Sequence, residues 1–298
     1  MTAVAGFIFG IILGSFSKAA AGRVVANETI WGRSYCPQCK KTLRWYDLFP
    51  VISFLFLKGR CRYCNKAIPK EDFAAEVVIG IIISLLFISV FIPQFWSIST
   101  LSLNTLLIII EVIFKSFVVV VAAMIFWVDL KSGLIPNIIT YPAAVVSFLY
   151  LVLISAIKSW SSYQSVIQST FGQYLLPPYS DFFTDRLWRI WSMLFINFLS
   201  GLGAASVFAL LIIITRGRGM GWGDVKYAFL LGLILGFPGT VVAIFLAFLF
   251  GAVVSLFLIS LRKKSFGQTI PFGPFLSLGA LSVLLWGENL ISWYLNLF

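Results

Sequence analysis

The 298-residue chain contains no histidine. That absence removes Ser-His-Asp and Cys-His triads, HExxH zinc hydrolysis and histidine proton relays. Acids are scarce too, with 11 Asp and Glu against 22 Lys and Arg, for a formal net charge of +11. Cysteines number only four. What fills the chain instead is apolar: 60% of residues are hydrophobic and the mean hydropathy is +0.99. A soluble domain is closer to half apolar, so the sequence reads as a polytopic membrane protein built of helices.

A membrane-spanning helix takes roughly 20 mostly apolar residues. Suitable runs lie at 3–17, 73–95, 106–128, 134–157, 192–215, 226–237, 238–261 and 272–297. Only Phe237-Pro238-Gly239 parts the sixth from the seventh, a turn signal. The expected fold is all-α with about eight transmembrane helices, or seven if 226–261 is one element. The first run, GFIFGIILGSF, lacks the basic leader of a signal peptide, and Ala19-Ala20-Ala21 is a weak cleavage match. It is expected to stay as a helix.

Eleven of the 22 basic residues fall in 18–72. Lys131, then Arg216, Arg218 and Lys226, then Arg262, Lys263 and Lys264 fall on the same side of an eight-span arrangement. The positive-inside rule makes that side the cytoplasm. The far side carries Lys158, Arg186 and Arg189, and Lys115 lies within the third span. The charge is thus a topology signal with some attraction to anionic lipid. A nucleic-acid reading has no aromatic stacking module to support it. Three regions follow: a first transmembrane helix at 1–17, a cytoplasmic segment at 18–72, and a transmembrane domain at 73–298.

All four cysteines lie in the cytoplasmic segment, as Cys36-Pro-Gln-Cys39 and Cys61-Arg-Tyr-Cys64. Two CxxC pairs 21 residues apart read as a tetrahedral four-thiolate zinc site. Disulfides are disfavoured in a reducing compartment, and no thioredoxin-like βαβ unit lies between the pairs. Four thiolates leave Zn²⁺ at about −2, which Lys40, Lys41, Arg60, Arg62 and Lys66 offset. No ligand position stays open, so the zinc should be structural. The apolar stretch Asp47–Leu57 is too short to span and should pack on the knuckles or lie at the bilayer surface.

Five acids lie in or at the ends of spans: Glu76, Glu111, Asp129, Asp224 and Glu288. Intramembrane carboxylates are functional candidates by default. Glu111 is explained by Lys115, four residues on. Asp129 and Asp224 stand apart, since both fall at the cytoplasmic edge. One precedes LKSGLIPN and the other lies in the glycine-rich GMGWGDVK. Two carboxylates brought together share one proton, so one serves as base toward water and the other as acid toward the scissile amide. That is aspartyl protease chemistry. Gly221 and Gly223 would let an extended substrate approach Asp224. With Lys226 and Glu76 they are the candidate substrate contacts.

These residues resemble the bacterial type IV prepilin leader peptidases, which are also N-methyltransferases. The resemblance runs over most of the chain. It rests on Gly14-Ser-Phe16, Arg23, the Cys36–Cys64 block with Leu43-x-Trp45-x-Asp47-Leu-x-Pro50, Ile68-Pro69, Glu76, Asp129 with Ile135-Pro136-Asn137, Gly219–Lys226, and Pro271-Phe-Gly-Pro-Phe275. Lys18-Ala19 and Val24-Val25 depart from the family pattern, which has Asn-Val and Leu-Pro there. The resemblance implies cleavage of a basic leader after glycine at the cytoplasmic membrane face. It also implies methylation of the new N-terminal amine with S-adenosylmethionine as donor. Substrates would be type IV prepilins and the pseudopilins of type II secretion, met at the bacterial inner membrane, and Asp129 and Asp224 would be the catalytic pair. The competing expectations are a peptidase without methyl transfer, a proton- or cation-coupled transporter, and a non-catalytic zinc scaffold. The outer loop 158–191 is expected to act as a lid or as surface packing.

Overall fold

A computed structural model describes residues 2–30, 32–36, 38–91, 103–217, 219–262 and 270–296. Arg218, Lys263 and Lys264, which entered the charge argument, lie outside the described residues. Among the described residues the chain is helical: α1 (Thr2–Val25), α2 (Ile52–Phe56), α3 (Lys70–Phe91), α4 (Leu103–Ser132), α5 (Asn137–Ile167), α6 (Phe182–Ile214), α7 (Trp222–Ser260) and α8 (Gly273–Leu295), with short 3₁₀ turns at Trp45–Leu48 and Gly172–Leu175. Seven of them, all but α2, are long and apolar enough to cross a membrane. Their outward faces carry large exposed apolar side chains such as Phe9, Leu149, Phe195 and Phe245. Lipid provides the solvent such a surface needs.

Small residues set the closest helix contacts. Gly6, Gly10 and Gly14 recur every four residues on α1, so they share one face. A Cβ on Gly10 would stand 2.8 Å from the Gly80 Cα of α3. Where both neighbours are apolar and lipid is too, such close van der Waals contact is what holds helices together. Gly201 of α6 against Gly232 of α7, and Gly279 of α8 against Ala243 and Ala247, repeat the device. α4 runs through the middle, touching α1, α3, α5 and α8, and buries Val118–Ile125 and Val128 almost fully.

α7 is the element that decides the span count. Gly236 and Phe237 have non-helical backbone, and Pro238 follows. Near its start, the Tyr227 hydroxyl meets that of Ser277 at 2.9 Å. Further along, Gly251 packs near Phe275, Ala247 near Gly279 and Gly239 near Val283. Residues on either side of the break thus reach the same level of α8, so α7 enters and returns as two antiparallel arms. The stretch 226–261, expected as two spans or as one element, is one element, Trp222–Ser260, that folds back at Gly236–Phe237. The reversal strands the Leu233 carbonyl, and the Asn197 side-chain amide of α6 donates to it at 3.1 Å.

The far-side segment is mostly helix. α5 runs on to Ile167 and α6 begins at Phe182, leaving a short connection whose flanks touch through Tyr163 and Phe183, ring centroids 5.8 Å apart.

Candidate active site and cysteine cluster

Three helix ends converge on Asp129. Its position, late in α4, leaves it 3% exposed. Its Oδ2 accepts a hydrogen bond from the Gly273 N–H, the first residue of α8, at 2.8 Å. Asp224 sits in the first turn of α7 and is 8% exposed. Its Oδ2 accepts from the Gly221 N–H at 3.1 Å, closing the N-terminus of the helix. Each carboxylate therefore faces the free amides of a helix N-terminus, where negative charge is stabilised. The Asp129 carboxylate adds to the negative potential at Asp224. The two aspartates, 95 positions apart in sequence, thus come near enough to interact electrostatically. Such a pair can hold one proton between two oxygens and handle water beside an amide.

The glycines of the second motif have different surroundings. A Cβ on Gly223 would lie 3.0 Å from that of Ile135, so its smallness lets α7 pack on the turn after Asp129. Among the described residues, a Cβ on Gly221 would have only the Gly223 nitrogen near, at 3.9 Å. Lys226 is turned to α5: its Nζ donates to Asn137 Oδ1 at 2.9 Å and lies over the Tyr141 ring. Gly273 is the residue the sequence did not single out as a site member. An added Cβ there would be 2.6 Å from Asp129 Oδ2, so no other residue fits without displacing the acid. The signal available was PFGPF itself, a glycine and proline opening a helix.

Glu76 is elsewhere. Its Oε2 accepts from the Val51 N–H at 2.7 Å, and Ser15 of α1 lies beside it. It belongs with the cysteine segment rather than with Asp129 and Asp224.

That segment is built from two matching knuckles. The Cys36 N–H donates to Lys41 O at 3.0 Å, and the Cys61 N–H to Lys66 O at 2.9 Å. Isolated bridges Tyr35–Thr42 and Arg60–Ala67 close the two turns. Lys40 and Asn65, each just after the second cysteine of its pair, have φ of 58° and 55°. The four sulfurs lie within 4.8 Å of one another, with Cys36 and Cys64 at 3.9 Å. A tetrahedral zinc with bonds of about 2.3 Å places its sulfurs about 3.8 Å apart, so the cluster fits such an ion. Asp47 locks the second knuckle: its oxygens take Arg62 Nε at 2.8 Å and the Tyr63 hydroxyl at 3.0 Å. α2 stacks Phe54 on Phe73 of α3 and leaves Leu55 and Phe56 exposed, so the stretch both packs and presents an apolar surface.

Two family models match this chain. Residues 8–90 fit the bacterial peptidase A24 N-terminal domain, and residues 187–256 fit the type IV leader peptidase family. The chain is a membrane protein of the bacterial type IV leader peptidase family. Its relatives include a "prepilin leader peptidase/N-methyltransferase" of Bacillus subtilis (strain 168), 28% identical over 98% of this chain and 97% of the relative. Proteins of the same name from Aeromonas salmonicida (strain A449) and Vibrio cholerae are 27% and 32% identical, over 89% and 48% of this chain and 75% and 54% of theirs. No solved structure matches.

Proposed function

We propose that this enzyme removes the leader of type IV prepilins and pseudopilins at the cytoplasmic membrane face and methylates the amine it exposes. The observation that carries the peptidase half is the pair of buried carboxylates, each held by a helix-opening amide at the same end of the bundle. In this reading Asp129 and Asp224 share one proton. The ionised oxygen draws a proton from water, and the protonated one gives its proton to the leaving amine. The open strip at Gly221 admits an extended chain beside Asp224. The four cysteines would hold zinc, which would join the two knuckles and stabilise a segment with little core of its own. S-adenosylmethionine would supply the methyl group. The names of the relatives support both reactions, and none of those named is a transporter.

The test is a single reaction of purified protein, a prepilin and isotope-labelled S-adenosylmethionine, read by mass spectrometry. Shortened, labelled product is expected. Uncleaved prepilin would refute the peptidase reading, and shortened but unlabelled product would leave a peptidase alone.

A further inference from the structure

A cavity of about 580 Å³ lies between the end of α1, the cysteine segment and the start of α3. That is the size of a small-molecule site. Its wall mixes charges of both signs with apolar rings. Lys18, Glu71, Asp72 and Glu76 all face it, as do Phe49 and Phe54. The Lys18 Nζ is buried and, among the described residues, is held by ion pairs and an aromatic face rather than by a close hydrogen bond. It lies 3.3 Å from the centre of the Trp127 ring, 3.5 Å from Asp72 and 3.8 Å from Glu71. Gly22 also lines the cavity, and a Cβ built on it meets none of the described residues within 4 Å.

A second cavity, about 360 Å³, adjoins the first and is walled by Ile12, Phe16, Ala20 and Ile30. The two share Ser15, Ala19, Phe49 and Pro50. Glu76 lines the larger cavity beside this junction, where the Val51 N–H donates to it at 2.7 Å and Ser15 is its neighbour. Val51 holds that amide in place at φ 61°, a left-handed conformation that a β-branched residue adopts only under strain. Strain of this kind gathers where a backbone group must be aimed.

We propose that the larger cavity binds the methyl donor, that the smaller one takes the apolar N-terminal side chain of the cleaved substrate, and that Glu76 is the base between them. The proposal rests on the methyltransferase reading above. A zwitterionic amino acid moiety needs a cation and an anion close together, and Lys18 beside Glu71 and Asp72 provides both. A sulfonium gains from carboxylates and aromatic faces. Glu76 takes one proton from the substrate ammonium group. The freed nitrogen pair then forms the N–CH₃ bond while the S–CH₃ bond breaks, its electron pair staying on sulfur. The products are a methylated ammonium and a neutral thioether, and Glu76 returns its proton to water.

The location explains how one chain performs two reactions. Trp127 and Lys131 face this side of α4, while Asp129 is about 200° around the same helix from each. One helix thickness separates the two sites.

The experiment uses the full-length protein in detergent, with S-adenosylhomocysteine as the probe and calorimetry as the readout. Gly22→Trp fills the larger cavity and is expected to weaken binding at least about tenfold. Methyl transfer falls with it, while zinc content and leader cleavage persist and establish that the variant folds. Glu76→Gln is expected to bind the probe as wild type does and to lose methyl transfer by about 100-fold or more. Unchanged probe binding in Gly22→Trp would overturn the cavity assignment, and full methyl transfer in Glu76→Gln would overturn the base. Wild type that cleaves but neither binds the probe nor methylates would instead refute the methyltransferase reading itself.

Discussion

Replacing Gly273 by alanine adds one methyl group at the most confined point of the site. Its backbone is not in the left-handed region, so space alone opposes the change. The new carbon would begin 2.6 Å from Asp129 Oδ2, 3.0 Å from its Cγ and 3.2 Å from its Cβ. Ordinary contact needs roughly 3.4 Å or more, so the carboxylate or the start of α8 moves by several tenths of an ångström. The Gly273 N–H to Asp129 bond, 2.8 Å and buried, is then stretched or lost. A hydrogen bond to a charged group contributes about 1.5–3 kcal/mol. A misplacement approaching 1 Å at reacting groups costs about 100-fold in rate. Gly273→Ala should therefore lower kcat for leader cleavage by about that factor while KM for prepilin changes little. Gly203→Ala is the control. It adds the same methyl on α6 where nothing lies within 4 Å, and should stabilise the helix slightly or leave it unchanged. The assay is steady-state cleavage of a purified prepilin, with thermal unfolding of each variant alongside. Wild-type kcat in Gly273→Ala would mean that Asp129 is not held from α8 in the working enzyme.

Asp129→Ala and Asp224→Ala should each abolish cleavage with zinc content unchanged, as measured by product mass spectrometry and metal analysis; residual wild-type rate in either would break the shared-proton mechanism. Cys36→Ser should lower bound zinc and raise amide exchange across 32–68, whereas full metal content would reject four-thiolate ligation. Asn197→Leu leaves the Leu233 carbonyl without its donor inside the bilayer and should destabilise the protein by about 1–3 kcal/mol. Thermal unfolding in detergent measures this, and an unshifted midpoint would show that another group takes the donor's place.

Much of this architecture could be read from the chain because bilayers impose a simple code. Long apolar runs, basic loops and paired cysteines each have one dominant physical explanation. Asp129 and Asp224 stood out because an acid at the membrane edge is costly and there are few of them. Other features depended on distances that no spacing encodes. Gly273 matters only because α8 begins against α4, from a position 144 residues away. Gly223 looked like room for substrate, but Ile135 occupies the space beside it. Glu76 and Asp224 were grouped as acids of one domain, yet Val51 and Ser15 draw Glu76 into the cysteine segment. In α7 the Phe237-Pro238-Gly239 turn signal marks a break, but that the chain doubles back there follows only from its contacts with α8.

That doubling back has a consequence for the surrounding lipid. The inbound arm of α7 runs only from Trp222 to Leu235, a rise of about 21 Å. A bilayer core is about 30 Å thick, so the turn at Gly236 stops short of the opposite headgroups. The far leaflet is expected to bend inward to meet it, thinning the membrane beside the arm that bears Asp224. Acyl chain length is therefore expected to act on this hairpin: thin bilayers relieve the mismatch, and thick ones press on the arm that carries Asp224.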